Sequence, residues 1–188
     1  MKVAILGGSF DPPHLGHLHV ARTVRKVLHF DAVVLMPCFQ HPFAKELSSA
    51  EDRLAMTQLM VEPGISVSDV EIRRPAVSYT IDTLRSLSAE HPDNEYSWII
   101  GSDQLMGFSK WKEWESIVRD FGLIVYPRGS VLPLDVPAGA TLLQVPQVST
   151  HPSSSSTVRQ AIKHGLPIDE YVTPEVEQYI IKHNLYGI

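Results

Sequence analysis

The densest chemistry in the chain lies in the stretch Gly7-Gly8-Ser9-Phe10-Asp11-Pro12-Pro13-His14-Leu15-Gly16-His17. It follows an apolar burst, Val3 to Leu6. It precedes Leu18, Ala21, Val24 and Leu28, which recur at helical spacing. The stretch therefore reads as the turn between a buried strand and a helix. Gly7 and Gly8 lack a Cβ, so the backbone can turn tightly and approach a ligand. A helix N-terminus presents unpaired N–H groups and partial positive charge, which suits phosphate. His14 and His17 share a helical face, and Gly16 between them leaves room for a bulky anion. Two imidazoles at such a helix start make a phosphate clamp. No Gly-Lys-Ser/Thr follows, as a P-loop needs, and Gly-x-Gly-x-x-Gly is absent. By residue type alone, the stretch also reads as a plain turn with two surface histidines, or as a His-x-x-His metal site.

Ser154-Ser155-Ser156-Thr157-Val158-Arg159 is a second anion-binding candidate. It opens a helical pattern that runs from Val158 to His164. Hydroxyls and free N–H groups at a helix start either cap the helix or bind phosphate. Arg159, one turn in, reaches the same anion with a planar fork. The alternative is a serine loop ahead of a capped helix.

Together the two segments resemble the two signatures of the nucleotidyltransferase superfamily with the His-x-Gly-His motif. The first signature is Gly-Ser-Phe-Asp-Pro-x-His-x-Gly-His, with Pro13 in its variable position. The second is Ile-Ser-Ser-Thr/Ser-x-x-Arg. It falls on Ser154, Ser155, Ser156 and Arg159, and Ser153 stands where the family has an apolar residue. Three further runs are similar to the nicotinate-mononucleotide adenylyltransferases: Arg74-Pro75-Ala76-Val77-Ser78-Tyr79-Thr80-Ile81-Asp82-Thr83-Leu84, Ile99-Ile100-Gly101-Ser102-Asp103 and Trp111-Lys112-Glu113-Trp114. The resemblance covers nearly the whole chain. It implies a Rossmann-like fold and transfer of AMP from ATP to nicotinate mononucleotide, giving deamido-NAD and pyrophosphate. It implies that His14, His17 and Arg159 are catalytic. ATP would be bound by Gly8, Ser9, Phe10, Gly16, Gly101, Asp103, Ser154, Ser155 and Ser156. The acceptor would be bound by Lys45, Tyr79, Thr80 and Trp111. Mg²⁺ would bind through the ATP phosphates, with no metal ligand from the protein.

These assignments have physical readings. Gly101 ends a strand, so Asp103 emerges at the carboxyl edge of the sheet, where a carboxylate accepts hydrogen bonds from ribose hydroxyls. Trp111 offers a flat face to a pyridine ring, worth about 0.5–1.5 kcal/mol beyond area burial. Tyr79 and Thr80 start a helix whose free N–H groups suit a carboxylate. Asp103 also reads as an N-cap, Tyr79 and Thr80 as ordinary helix-start residues, and Trp111 with Trp114 as one core-facing stripe. The chain departs from the family after its second strand. His41-Pro42-Phe43-Ala44-Lys45 replaces a Pro-x-His-Lys/Arg pattern, which leaves Lys45 as the cation and His41 as an alternative route. The chemistry needs no general base, because a phosphate monoester with its second pKa near 6 is already a nucleophile at neutral pH. Rival readings are nicotinamide mononucleotide as acceptor, a sister phosphopantetheine adenylyltransferase or cytidylyltransferase, and a non-catalytic nucleotide-binding scaffold.

Positioning these residues requires alternating strands and helices. Strands are expected at Val3–Leu6, Asp31–Met36, Ile65–Val70, Tyr96–Ile100, Leu123–Tyr126 and Leu142–Val145. Helices are expected near Leu18–Leu28, from Glu51 behind a Ser48 or Ser49 cap, and at Thr80–Leu87, Trp111–Phe121, Val158–His164 and Glu175–His183. Residues 38–50 and 129–140 read as loops. This alternation predicts an α/β, doubly wound parallel sheet with helices on both faces, built as a single domain over 1–188. Ligands bind such sheets at the carboxyl ends of the strands, where the motifs above fall. Hydrophobic residues make up 44% and charged residues 20% of 188, which fits a globular core and sets disorder aside. A formal charge of -5 without a basic run argues against polymeric nucleic acid as a partner. A lone Cys38 fits a reducing compartment. No segment reads as a signal peptide or a membrane span, so the expected location is cytoplasmic, away from membranes. Homo-oligomerisation is left open.

Overall fold

The computed structural model describes residues 1–40, 46–128, 136–144 and 153–187. Six apolar runs form one sheet: β1 (Lys2–Gly8), β2 (Ala32–Pro37), β3 (Ile65–Val67), β4 (Glu95–Gly101), β5 (Leu123–Tyr126) and β6 (Thr141–Leu142). Their order is β3-β2-β1-β4-β5-β6, and every ladder is parallel. The expected doubly wound α/β fold is the observed one.

Side chains alternate across a strand, and both faces of β1 are apolar. Val3 and Ile5 enter one core, and Ala4 and Leu6 enter the other. The first face is covered by α3 (Thr80–Glu90) through Ile81, Leu84 and Leu87. The short α4 (Leu105–Phe108) and α5 (Trp114–Ser116) pack on the same side. The second face is covered by α1 (Leu15–Val27), α2 (Ala50–Gln58), α6 (Ser155–Lys163) and α7 (Pro174–Lys182). Helix starts are fixed by side chains of the expected kind. Ser49, Ser154 and Thr173 accept hydrogen bonds from the N–H groups of Asp52, Thr157 and Val176. Each such cap is worth about 1 kcal/mol.

The strand order reverses at β1, which has β2 on one side and β4 on the other. The carboxyl ends of β1 and β4 therefore border the crevice where open α/β sheets bind ligands.

The structure corrects several sequence expectations. β3 ends at Val67: Ser68 still donates to Leu35, and a turn closed by Arg73 N–H on the Asp69 carbonyl then stops the ladder. No continuous helix spans Trp111 to Phe121. Glu113 is left-handed (φ 49°), so the helix starts only at Trp114, and a π-type turn from Ile117 to Phe121 follows it. β6 lies one residue earlier than expected, and Val145 falls outside the described residues. So do 41–45 and 129–135, which contain Lys45, His41 and part of the 129–140 loop. Among the described residues, no helix is long and apolar enough to cross a membrane.

Candidate active site

β1 delivers Gly8 to the sheet edge, and the chain then turns at Phe10, which is left-handed (φ 50°) and buried. The turn is thus made by Phe10 and not by the glycines before it. A Cβ on Gly7 would overlap the Trp98 indole, so this glycine serves packing between adjacent strands. His14 is the extended N-cap residue of α1. Its N–H donates to Nδ1 of His17 at 3.2 Å, and the His17 N–H donates to the His14 carbonyl at 2.9 Å. The two imidazoles lie 3.7 Å apart, centroid to centroid. The Phe10 ring lies 4.5 Å from His17. The sequence reading gave the space at Gly16 to an anion. The imidazole of His14 takes it instead: a Cβ there would stand 2.8 Å from His14 Nδ1 and 3.0 Å from the Ser153 carbonyl.

Because Nδ1 of His17 accepts a backbone proton, the imidazole is held as the tautomer with its proton on Nε2. Burial, the neighbouring His14 and the Arg128 charge hold His17 well below the ordinary histidine range. It is therefore a neutral donor at pH 7, available to an incoming anion without first losing a proton.

The two signatures meet in space. Ser155 Oγ donates to the Pro12 carbonyl at 2.9 Å, and Arg159 Nη1 donates to the Asp11 carbonyl at 2.5 Å. The start of α6 is thereby fixed against the His14–His17 turn, with the first N–H groups of the helix lacking intrahelical partners. Arg159 was expected on phosphate alone; it is also a brace for the turn. Asp11 is buried and accepts from the Tyr186 hydroxyl at 2.8 Å and from the Ser48 N–H at 3.4 Å. Burial and the Asp11 carboxylate push the Tyr186 phenol upward, so it stays a donor.

His14, His17 and Arg159 line one cavity with Gly8, Ser9, Phe10, Gly16, Gly101, Asp103, Ser154, Ser155 and Ser156. Tyr79, Thr80 and Trp111 line a second cavity. Trp111 sits in the turn before α5 and Trp114 opens that helix; no continuous helix joins them, but both indoles pack on Phe108, at 5.3 and 5.9 Å, on the same core face. Tyr79 caps α3 with extended backbone and Thr80 is its first residue, as read from the sequence. The two cavities share Gly7, Gly8 and Gln104. They adjoin at the carboxyl ends of β1 and β4.

Four participants escaped the sequence reading. Arg128, just beyond β5, lines the first cavity 3.5 Å from the Asp103 carboxylate. Its place at a strand's carboxyl end was the available signal. Arg53 is buried and donates to the carbonyls of Ser48, Ser9, Cys38 and Phe39 at 2.7–3.0 Å, joining the loops after β1 and β2. Glu71 is buried beside the second cavity. Tyr186 is the fourth. Among the described residues, no group of three or more His, Cys, Asp or Glu could hold a metal ion. The first cavity offers chiefly imidazole, guanidinium, hydroxyl and N–H donors, which match phosphate oxygens better than they match a cation.

The sequence matches the cytidylyltransferase-like family over residues 5–161. It is 36% identical over 200 residues to a protein of Symbiobacterium thermophilum named "Probable nicotinate-nucleotide adenylyltransferase", covering 98% of this chain and 95% of that one. It is 39% identical over 198 residues to a protein of the same name from Synechococcus sp., covering 98% and 94%. The fold is similar to that of the Plasmodium falciparum nicotinic acid mononucleotide adenylyltransferase complexed with NaAD, with a TM-score of 0.83, 24% identity, and coverage of 98% and 97%. The chain belongs to the cytidylyltransferase-like family and, within it, to the nicotinate-nucleotide adenylyltransferases.

Proposed function

We propose that this protein transfers the AMP moiety of ATP to nicotinate mononucleotide, releasing pyrophosphate and forming deamido-NAD for NAD biosynthesis. The observation that carries the reading is the pair of adjoining cavities: one is lined by phosphate donors, the other by an indole and a helix start, and they share Gly7, Gly8 and Gln104. Two substrates seated there would meet at the end of β1. The names of the relatives and the NaAD complex of the structural neighbour support the same acceptor.

In this reading the acceptor's 5′-phosphate attacks the α-phosphorus of ATP. The bond to the pyrophosphate oxygen breaks and pyrophosphate leaves. Catalysis is positioning plus charge stabilisation. The His17 Nε2–H, His14 and the free N–H groups of α6 face the charge that develops on the transferring and leaving phosphates. Preorganised donors of this kind are worth about 10²–10³ in rate each. Arg159 serves the same anion while bracing Asp11. Asp103 binds the ribose hydroxyls, Trp111 stacks on the pyridine ring, and the start of α3 binds its carboxylate. Lys45 adds a cation to the acceptor. Mg²⁺, held through phosphate oxygens and water, would neutralise the triphosphate; the donor character of the cavity fits that arrangement. The single Cys38, which is buried, agrees with action in the cytoplasm.

The test is pyrophosphate release with ATP and Mg²⁺, comparing nicotinate mononucleotide, nicotinamide mononucleotide and phosphopantetheine. Preference for the nicotinate form is expected. Release with phosphopantetheine alone would overturn the acceptor assignment.

A further inference from the structure

The second cavity holds a buried carboxyl group that the mechanism does not use. Glu71 lies in the turn between β3 and α3, is 4% exposed, and lines the cavity with Trp111, Tyr79 and Thr80. The Thr83 hydroxyl donates to its Oε1 at 2.7 Å and accepts from Arg74 Nη2 at 2.9 Å. Thr83 lies one turn into α3. The carboxyl group therefore packs against the first turn of α3, the helix whose start the acceptor reading assigns to the pyridine substituent. An ionised Glu71 and an acceptor carboxylate would compete for that positive end and repel each other. A protonated Glu71 is instead a donor to a carboxylate. A carboxamide has the opposite requirement, since its NH₂ group pairs with an ionised carboxylate.

Building on the acceptor reading above, we propose that Glu71 is a specificity-determining residue, whose proton sets how strongly the site prefers a pyridine nucleotide bearing a carboxylate over one bearing an amide. Burial pushes this carboxyl above the ordinary glutamate range, against the pull of Thr83, Ser78 and Arg74. The other groups around it are Cys38 at the end of β2, Arg53 behind that cysteine, and Lys110 and Lys112 on the cavity wall. Burial pushes the Cys38 thiol upward, which keeps it neutral near pH 7.

The test is the ratio of kcat/KM for nicotinate mononucleotide to that for nicotinamide mononucleotide, followed from about pH 5 to about pH 8.5. The attacking phosphate is common to both acceptors, and so is His17, so their titrations cancel in the ratio. Wild type should show the ratio falling about tenfold or more as pH rises through the Glu71 titration. In Glu71→Gln the ratio should be flat, because the amide presents its donor at every pH. In Thr83→Val, which removes the hydroxyl that favours the ionised form, the fall should move to higher pH. The wild-type and Thr83→Val arms keep the proposal testable if Glu71→Gln does not fold. A flat wild-type ratio, or a Glu71→Gln ratio that titrates as wild type does, would overturn the role of Glu71 while leaving the acceptor reading intact. No turnover with either pyridine nucleotide would overturn both.

Discussion

Arg53 is the most consequential residue that the sequence reading missed, and its replacement gives a sharp prediction. In Arg53→Met the side-chain length is kept and the guanidinium is lost. Four carbonyls, on Ser48, Ser9, Cys38 and Phe39, then lose their donor. A buried polar group left unsatisfied costs about 1–3 kcal/mol. Water reaching the less buried carbonyls, together with the apolar burial of methionine, offsets part of that cost. Summed over four carbonyls and reduced by that offset, the expected loss is about 3–5 kcal/mol. For a chain of this size that corresponds to a fall in Tm of roughly 6–20 °C. Arg53→Lys should fall between the two, since an ammonium lacks the planar fork that serves several carbonyls at once. Urea unfolding followed by circular dichroism measures the difference. Because Ser9 and Cys38 lie on the two loops at the mouth of the site, turnover should fall in folded Arg53→Met as well. Stability within about 1 kcal/mol of wild type would refute the claim that this guanidinium holds the loops.

Four further outcomes are expected. His17→Ala should retain its fold by circular dichroism and lose about 10²–10³ in kcat; wild-type turnover would sink the clamp. The pH dependence of stability follows from the lowered His17 pKa. Between the folded value and about 6.5, the unfolded chain binds the proton that the fold resists, so stability falls as pH drops through that window, and His17→Ala should show less of that fall in a Tm series. Trp111→Ala should raise KM for the acceptor about tenfold, corresponding to about 1.4 kcal/mol, with KM for ATP little changed; an effect confined to ATP would contradict the stacking. Tyr186→Phe removes only the hydroxyl that holds Asp11, and steady-state kinetics should show kcat reduced about tenfold with both KM values nearly constant; unchanged kcat would make that contact merely structural.

What could be read from the sequence was local in origin. The passage from β1 through His14 to α1 was legible because an apolar run, a turn and a helical period follow one another directly. The serine run was legible because hydroxyls stand directly before a helical period, and Ser154 caps its helix as hydroxyls at that position do. The Trp111–Phe121 segment misled, because its period looks helical while Glu113 takes a left-handed conformation that no composition signal marks. Gly16 misled for a different reason: the space it leaves is visible in sequence, but its occupant, the His14 ring, is not. Arg53, Glu71 and Tyr186 are defined by partners brought together only by the fold. Tyr186 reaches Asp11 across 175 positions, and Arg53 reaches Ser9 across 44.

The central claim is that the acceptor phosphate attacks the α-phosphorus of ATP. Its most direct test supplies ATP labelled at the α-phosphorus, Mg²⁺ and nicotinate mononucleotide, and then separates the products. The label should appear in the dinucleotide, with one pyrophosphate released for each dinucleotide formed. Label recovered in free AMP or ADP, with no labelled dinucleotide, would contradict the account.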